Sequence, residues 1–310
     1  MFKILLIALA GILTLVSCKK KEKSEPSDTL RSGIIDIACD EGFANLIDAE
    51  VEAFNAHFPA AFVFPRYTSE NQAIDLLVKD SVRVAVATRD LYGDERSKLG
   101  YNRVVRKNLF AFEGVAVIAN KSNTDSLLSV STLKKILTGE ITEWKQINPA
   151  SPLGTIRTIF VNKESSVLRY LIDSVTGGTN LSPNLYSQAT TGELFDKITE
   201  LPNAIGIIGF NQLGSQRSSL FEEITSKTRF IWISKEEKAV PSNSYLPFQG
   251  ELNEGKYPLW RPVYTLLSET RDGLGKGFCF FLTQQVGQKI ILKEGLMPIT
   301  DAQNMFIAVE

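Results

Sequence analysis

The sequence predicts an α/β protein of two lobes, and three observations lead there. Strand-like and helix-like segments alternate along nearly the whole chain after its first 32 residues. The first five run β-α-β-α-β, an order that implies parallel strands covered by helices. At 310 residues and 44% hydrophobic, the chain is long enough to fill two cores.

Taken in order, GIIDIAC (33–39) is apolar and β-branched, hence a strand. GFANLIDAEVEAFNAHF spaces Phe43, Leu46, Ile47, Val51 and Phe54 along one helical face. AAFVFPRY is the second strand. SENQAIDLLVKDS opens on a serine cap and places Ile74, Leu77 and Val78 on one side of a helix. VRVAVAT is the third strand. FEGVAVIAN is a strand and SVSTLKKILTGE a capped helix. TIRTIFV is a strand, and SSVLRYLIDSVTG a helix closed by Gly177. LFDKITELP is a helix; NAIGIIGF, RFIWIS and RPVYTLLSE are strands; GFCFFLTQQVGQKIILKEG reads as one closing helix ending at Gly295. The lobes are expected to exchange chain near residues 113–115 and again near 228–230. Residues 33–115 with 230–310 would then form one lobe and 116–229 the other.

The N-terminus differs in kind. MFKILLIALAGILTLVSC carries one early lysine and an apolar run over residues 4–16, too short for a comfortable membrane span. Residues 1–17 therefore read as a signal peptide. The ending LVSC resembles a bacterial lipobox, which implies cleavage before Cys18 and lipidation of its thiol and new amino group. A plain secretory signal or a short anchor is the alternative. Residues 18–32 are charged, hold Pro26 and lack apolar periodicity, so they read as a tether. Their lysines, directly after the lipid, suit anionic headgroups.

A net charge of −1 argues against nucleic acid, whose phosphates call for a basic surface. No GxSxG, Walker or GxGxxG motif and no metal-ligand spacing occurs, so neither cofactor nor metal is expected. The single histidine, His57, lies at a helix end before Phe58-Pro59, a poor place for a general base, and no enzyme activity is expected. Cys39 and Cys279 either pair or stay as buried thiols, and their apolar settings favour two thiols.

Ligands of open α/β sheets gather at the carboxyl ends of strands, beside the next helix N-terminus. That rule collects four loops: CDEGF with Asp40 and Glu41, RYTSENQ with Thr68 and Ser69, ATRDL with Thr88, Arg89 and Asp90, and NKESSVLR with Ser165, Ser166 and Arg169. A cleft between lobes would bring them together. Ser165 and Ser166 share a helix face with Arg169, and hydroxyls, first-turn N–H groups and a guanidinium suit a small oxyanion. Each also has a plain reading. The serines are N-caps, Arg169 is a surface residue, Arg89 and Asp90 form a solvated pair, and Asp40 and Glu41 complement a helix dipole. Tyr67, Trp144 and Trp260 read as packing residues.

GVAVIANKSN, LKKILTGEITEWKQINP, NAIGIIGF and YPLWRPVYTLL together resemble the PstS-like phosphate-binding lipoproteins of bacterial ABC importers, over about residues 33–300. The resemblance implies the periplasmic-binding-protein (type 2) fold, with mixed sheets, helices on both faces and a ligand cleft between the lobes. It implies inorganic phosphate or a similar oxyanion as ligand, an importer permease as partner, attachment to the membrane through the lipid, a cell-envelope location and a monomer. In the family, hydroxyls, helix-start N–H groups, one arginine and one carboxylate hold the phosphate. Ser69, Ser165 and Ser166 fall on hydroxyl positions. Thr88 falls where the family carboxylate stands, and Val161 where its arginine stands. Asp90, Asp40 or Glu41 would have to supply the carboxylate, and Arg89 or Arg169 the guanidinium. These departures leave a second reading open, a tethered sensor or interaction module of the same fold with an altered ligand.

Overall fold

The structure, a computed structural model, describes residues 28–100, 103–179, 181–216 and 218–300. The signal segment 1–17, Cys18 and the lysines after it lie outside the described residues.

The first lobe begins with β1 (Gly33–Asp40), α1 (Ala44–His57), β2 (Ala61–Thr68), α2 (Glu70–Val78), β3 (Val84–Ala87) and α3 (Gly93–Ser97). The long β4 (Arg106–Asn120) leads to β5 (Leu127–Ser129), α4 (Val130–Thr138), β6 (Arg157–Val161) and α5 (Ser166–Tyr170). Then come β7 (Leu185–Gln188), α6 (Thr191–Glu200), β8 (Ala204–Gly209), α7 (Ser219–Lys227), β9 (Thr228–Phe230), β10 (Trp232–Ser234), β11 (Ser244–Tyr245) and α8 (Gln249–Asn253). The chain closes with β12 (Trp260–Leu267), α9 (Leu274–Leu282), α10 (Gln285–Lys293) and β13 (Met297–Pro298).

One mixed sheet runs β2-β1-β3-β12-β4-β8-β6-β7, with β9 and β13 also on β4, and β11-β10-β5 form a small second sheet. β1 is parallel to β2 and β3, while β12 is antiparallel to both β3 and β4. β4 joins the lobes. It pairs with β12 from Arg106 to Gly114 and with β8 from Val115 to Ala119.

Strand alternation decides which core each side chain enters. In the first lobe Ile37, Cys39, Val84 and Val86 pack with α1, α9 and α10, whereas Ala38, Ala85 and Ala87 meet Ile74 and Leu77 of α2. Second-lobe strands divide likewise, with Val115, Val117 and Ile207 on one face and Ala116, Ile118 and Ile208 on the other. The fold is thus the expected one, with helices on both faces. Cys39 and Cys279 are both buried and free. Among the described residues no helix is long and apolar enough to cross a membrane.

Three details depart from expectation. Ile231, Ile233, Leu252, Tyr257 and Leu259 pack with Val115 and Val117, so the packing changes lobe at Leu259–Trp260 rather than at 228–230. The reason is pairing: β9 sits on Ile118–Asn120 and β10 on β5. The closing helix is two helices. Gln288 donates to the Leu282 carbonyl at 2.7 Å, replacing the helical bond lost at the break, and Gly287 lies so near Phe281 and Leu282 that a Cβ would sit 2.6 Å from the Phe281 oxygen. The expected tether also ends early. Asp28 is buried, meets Arg83 at 2.8 Å and Arg271, and accepts the Leu274 N–H at the start of α9 at 2.9 Å.

Candidate functional site

β1, β2 and β3 all end at the crevice between the lobes, and β6 ends opposite them. The loops after these strands carry the polar side chains. On the crevice floor lies Arg261 of β12, 1% exposed. Its Nε donates to Glu113 Oε2 at 2.7 Å, and Nη2 sits 2.7 Å from the same oxygen without a hydrogen bond of its own. Its Nη1 donates to Ser166 Oγ at 2.7 Å, and Ser166 in turn donates to Asp40 Oδ2. Asp40 also accepts the Gly42 N–H at 3.2 Å. Burial and then the charge of Glu70 push the Asp40 carboxyl up to about 6, against the pull of Arg261, Ser166 and Gly42.

Above the floor a second carboxylate organises the rest. Glu70 begins α2 and is 1% exposed. Its Oε1 accepts from Thr88 N and Thr88 Oγ1, both at 2.6 Å, and its Oε2 from Arg169 Nε at 2.5 Å. Arg169 reaches across from α5, and its Nη2 also donates to Thr88 Oγ1 at 2.6 Å, while Nη1 meets Asp173 at 3.0 Å. Burial alone would lower the Arg169 pKa, but the charge of Glu70 and the bonds to Glu70 and Asp173 raise it, so the guanidinium stays charged. Arg89 forms a fork with Glu95 at 2.7 and 2.8 Å and covers the Tyr92 ring. Its buried Nε has no hydrogen-bond partner and lies 3.8 Å from Glu70 Oε2.

The candidate residues therefore separate. Asp40 and Ser166 meet in one cluster; Thr88, Arg89 and Arg169 meet in the other. Ser69 is buried at the head of α2 and makes no side-chain cap bond, leaving its hydroxyl beside the Glu70 cluster. Ser165 caps α5, accepting the Val167 N–H at 3.2 Å. Glu41 is exposed and accepts from Asn162 Nδ2 at 2.8 Å across the crevice. Asp90 turns outward to Leu91 N, Arg96 and Lys107. The Thr68 hydroxyl donates to Gln72. Val161 leaves no guanidinium at its own position.

A cavity of about 440 Å³ opens next to these clusters, with Glu41, Gly42, Val161, Thr190, Gly192 and Gln212 on its wall. Ser69, Glu70, Thr88 and Arg169 are not on that wall.

Sequence reasoning missed Glu70, Arg261 and Glu113. Glu70 reads as an ordinary first-turn carboxylate, although its place directly after the Ser69 cap was a usable signal. Glu113 and Arg261 stand 148 positions apart in strands that read only as apolar sheet. Asn162 and Asn211 were also missed. Asn211 Nδ2 donates to the Gly42 carbonyl at 2.7 Å, another polar link between the lobes.

A PBP superfamily domain matches residues 24–285. Phosphate-binding protein PstS of Borreliella burgdorferi is 22% identical over 306 residues, covering 96% of this chain and 98% of its own length. Phosphate-binding protein PstS of Bacillus subtilis is 20% identical over 288 residues, 92% of this chain and 87% of its own. Among solved structures, an ABC-type phosphate transport receptor from Vibrio cholerae superposes with a TM-score of 0.67 at 22% identity, covering 86% of this chain and all of the receptor. A candidate phosphate ABC transporter substrate-binding protein from Clostridium perfringens, solved with bound phosphate, gives 0.70 at 21% identity over 86% of this chain and all of its own. At these identities the structural likeness speaks to the fold.

Proposed function

Because the chain belongs to the PBP superfamily, we propose that it is a lipid-anchored, extracytoplasmic solute-binding protein. It captures phosphate, or a similar tetrahedral oxyanion, between its lobes and hands it unchanged to the permease of an ABC importer. The names of its relatives support this reading. One observation of its own carries it: donors from both lobes converge on oxyanion positions. Thr88 N–H, Thr88 Oγ1 and Arg169 surround one carboxylate; Gly42 N–H and Ser166 Oγ surround another. Charge-assisted hydrogen bonds contribute roughly 1.5–3 kcal/mol each. A micromolar ligand needs about 8 kcal/mol net, so six to eight such bonds suffice after ordering costs. Asp40, whose carboxyl burial pushes up to about 6, supplies the carboxylate that Thr88 lacks. With this reading we take the lobes as 33–114 plus 260–300 and 115–259.

Solute capture rather than catalysis also fits His57, which packs against Phe58 and Phe281 at ring distances of 5.6 and 6.2 Å instead of facing the donors. Calorimetric titration of the detergent-solubilised protein with phosphate tests the proposal. Saturable heat at micromolar to millimolar phosphate, with sulfate weaker, is expected. Silence at millimolar phosphate would favour the altered-ligand sensor or interaction module, a reading that the internal occupation of the donors supports.

A further inference from the structure

We propose that Glu70 is the crevice's built-in occupant: its carboxylate takes the oxyanion position, ties the lobes together without solute, and must be displaced by any anion that binds. This rests on the phosphate reading for its solute, but not for its closing role.

Four donors of that cluster reach Glu70. Thr88 offers both its amide and its hydroxyl, and Arg169 offers Nε at 2.5 Å and Nη2 at 3.5 Å. These are the partners a bound oxyanion would use, and a carboxylate has the same charge sign and planar oxygen pair that such donors accept. Glu70 comes from the first lobe and Arg169 from the second, so the pair spans the crevice. Other cross-lobe contacts include Arg169 to Thr88, Ser166 to Asp40 and to Arg261, Asn162 to Glu41, and Asn211 to Gly42 and Glu113.

The surroundings are prepared for the carboxylate to leave. Arg89 Nε is buried, lacks a hydrogen-bond partner and waits 3.8 Å from Glu70 Oε2. Ser69 holds an uncommitted hydroxyl at the start of α2, whose first-turn amides have no intrahelical acceptors. Glu70 reaches the cluster through a flexible side chain from the first position of that helix. Rotating it outward would free Thr88, Arg169 and Arg89 together, beside the Ser69 hydroxyl. If a solute entered without that rotation, two anions would compete for one donor set, and like-charge repulsion would weaken binding.

Glu70→Gln and Glu70→Ala, checked for wild-type melting behaviour, test this in two measurements. The first is phosphate titration. Both variants should bind about tenfold more tightly than wild type, the ratio by which charge-assisted bonds exceed neutral ones. The second needs no solute. Spin labels at Asp94→Cys and Glu237→Cys, sites 73% and 75% exposed in opposite lobes, are placed in a Cys18→Ala background. Their separation should lengthen in Glu70→Ala. Equal or weaker phosphate binding by the variants would overturn the proposal and make Glu70 a solute ligand or a structural anchor. If no form binds phosphate yet Glu70→Ala opens, the occupant role stands and the phosphate reading falls. If no form binds and the separation is unchanged, both fall.

Discussion

Glu113 and Glu70 are both buried carboxylates met by arginine, yet they do different work. The partner of Glu113 is Arg261, from the strand beside its own, so the pair lies inside one sheet at the crossing between lobes. The partner of Glu70 is Arg169, from the far lobe, so the pair exists only while the crevice is shut. The first can break only by unfolding; the second can break by a hinge movement. What separates a structural ion pair from a functional one here is therefore not chemistry or burial but which rigid body each partner belongs to.

The sharpest way to break that contrast is at the floor. Arg261→Met keeps most of the volume but strands the Glu113 charge with only the Asn211 N–H at 3.1 Å. A loss of about 3–5 kcal/mol in urea unfolding is expected, and adding Glu113→Leu should recover most of it. Glu50 supplies the limiting case, a fully buried carboxyl whose oxygens have no hydrogen-bond partner. Burial and then the charge of Glu294 push its pKa up to about 9. Because the folded chain holds this proton more tightly than the unfolded chain, stability falls as pH rises from about 4.5, the ordinary value, toward 9. Glu50→Gln should flatten that fall, a difference on the order of 6 kcal/mol by pH 9 in pH-dependent unfolding curves. The smallest effect is in the crevice. Arg169→Ala should weaken phosphate binding by about tenfold, about 1.4 kcal/mol, and alter stability much less than Arg261→Met, since Thr88 still donates to Glu70. Unchanged affinity would remove Arg169 from the site.

Much of the fold was legible because its signals are local. The alternation of Ile37 and Cys39 with Ala38, or the face formed by Ile74, Leu77 and Val78, needs only neighbouring residues. The cluster of Thr88, Arg89 and Arg169 was legible from a positional rule, since strand ends in such sheets face the same side. Asp90 escaped that rule because Leu91 N, Arg96 and Lys107 take its carboxylate outside the cluster. Glu70 escaped because nothing local separates a helix-start carboxylate facing solvent from one aimed into a crevice. The Arg261–Glu113 pair rests on strand order, which joins residues from distant parts of the chain. The break before Gln285 depends on Gln288 capturing the Leu282 carbonyl, a contact hidden in a continuous helical pattern.

β4 passes from one lobe to the other without interruption, and β12 returns alongside it from Trp260. At the passage Gly114 is pressed against Pro247, where an added Cβ would lie 2.8 Å from the proline ring. The two halves are thus joined like the leaves of one spring rather than by slack cord. Yawning of the crevice flexes hydrogen-bonded ribbon, which stores the work and returns it, so a cargo could be released and the mouth reset without any segment having to melt and refold.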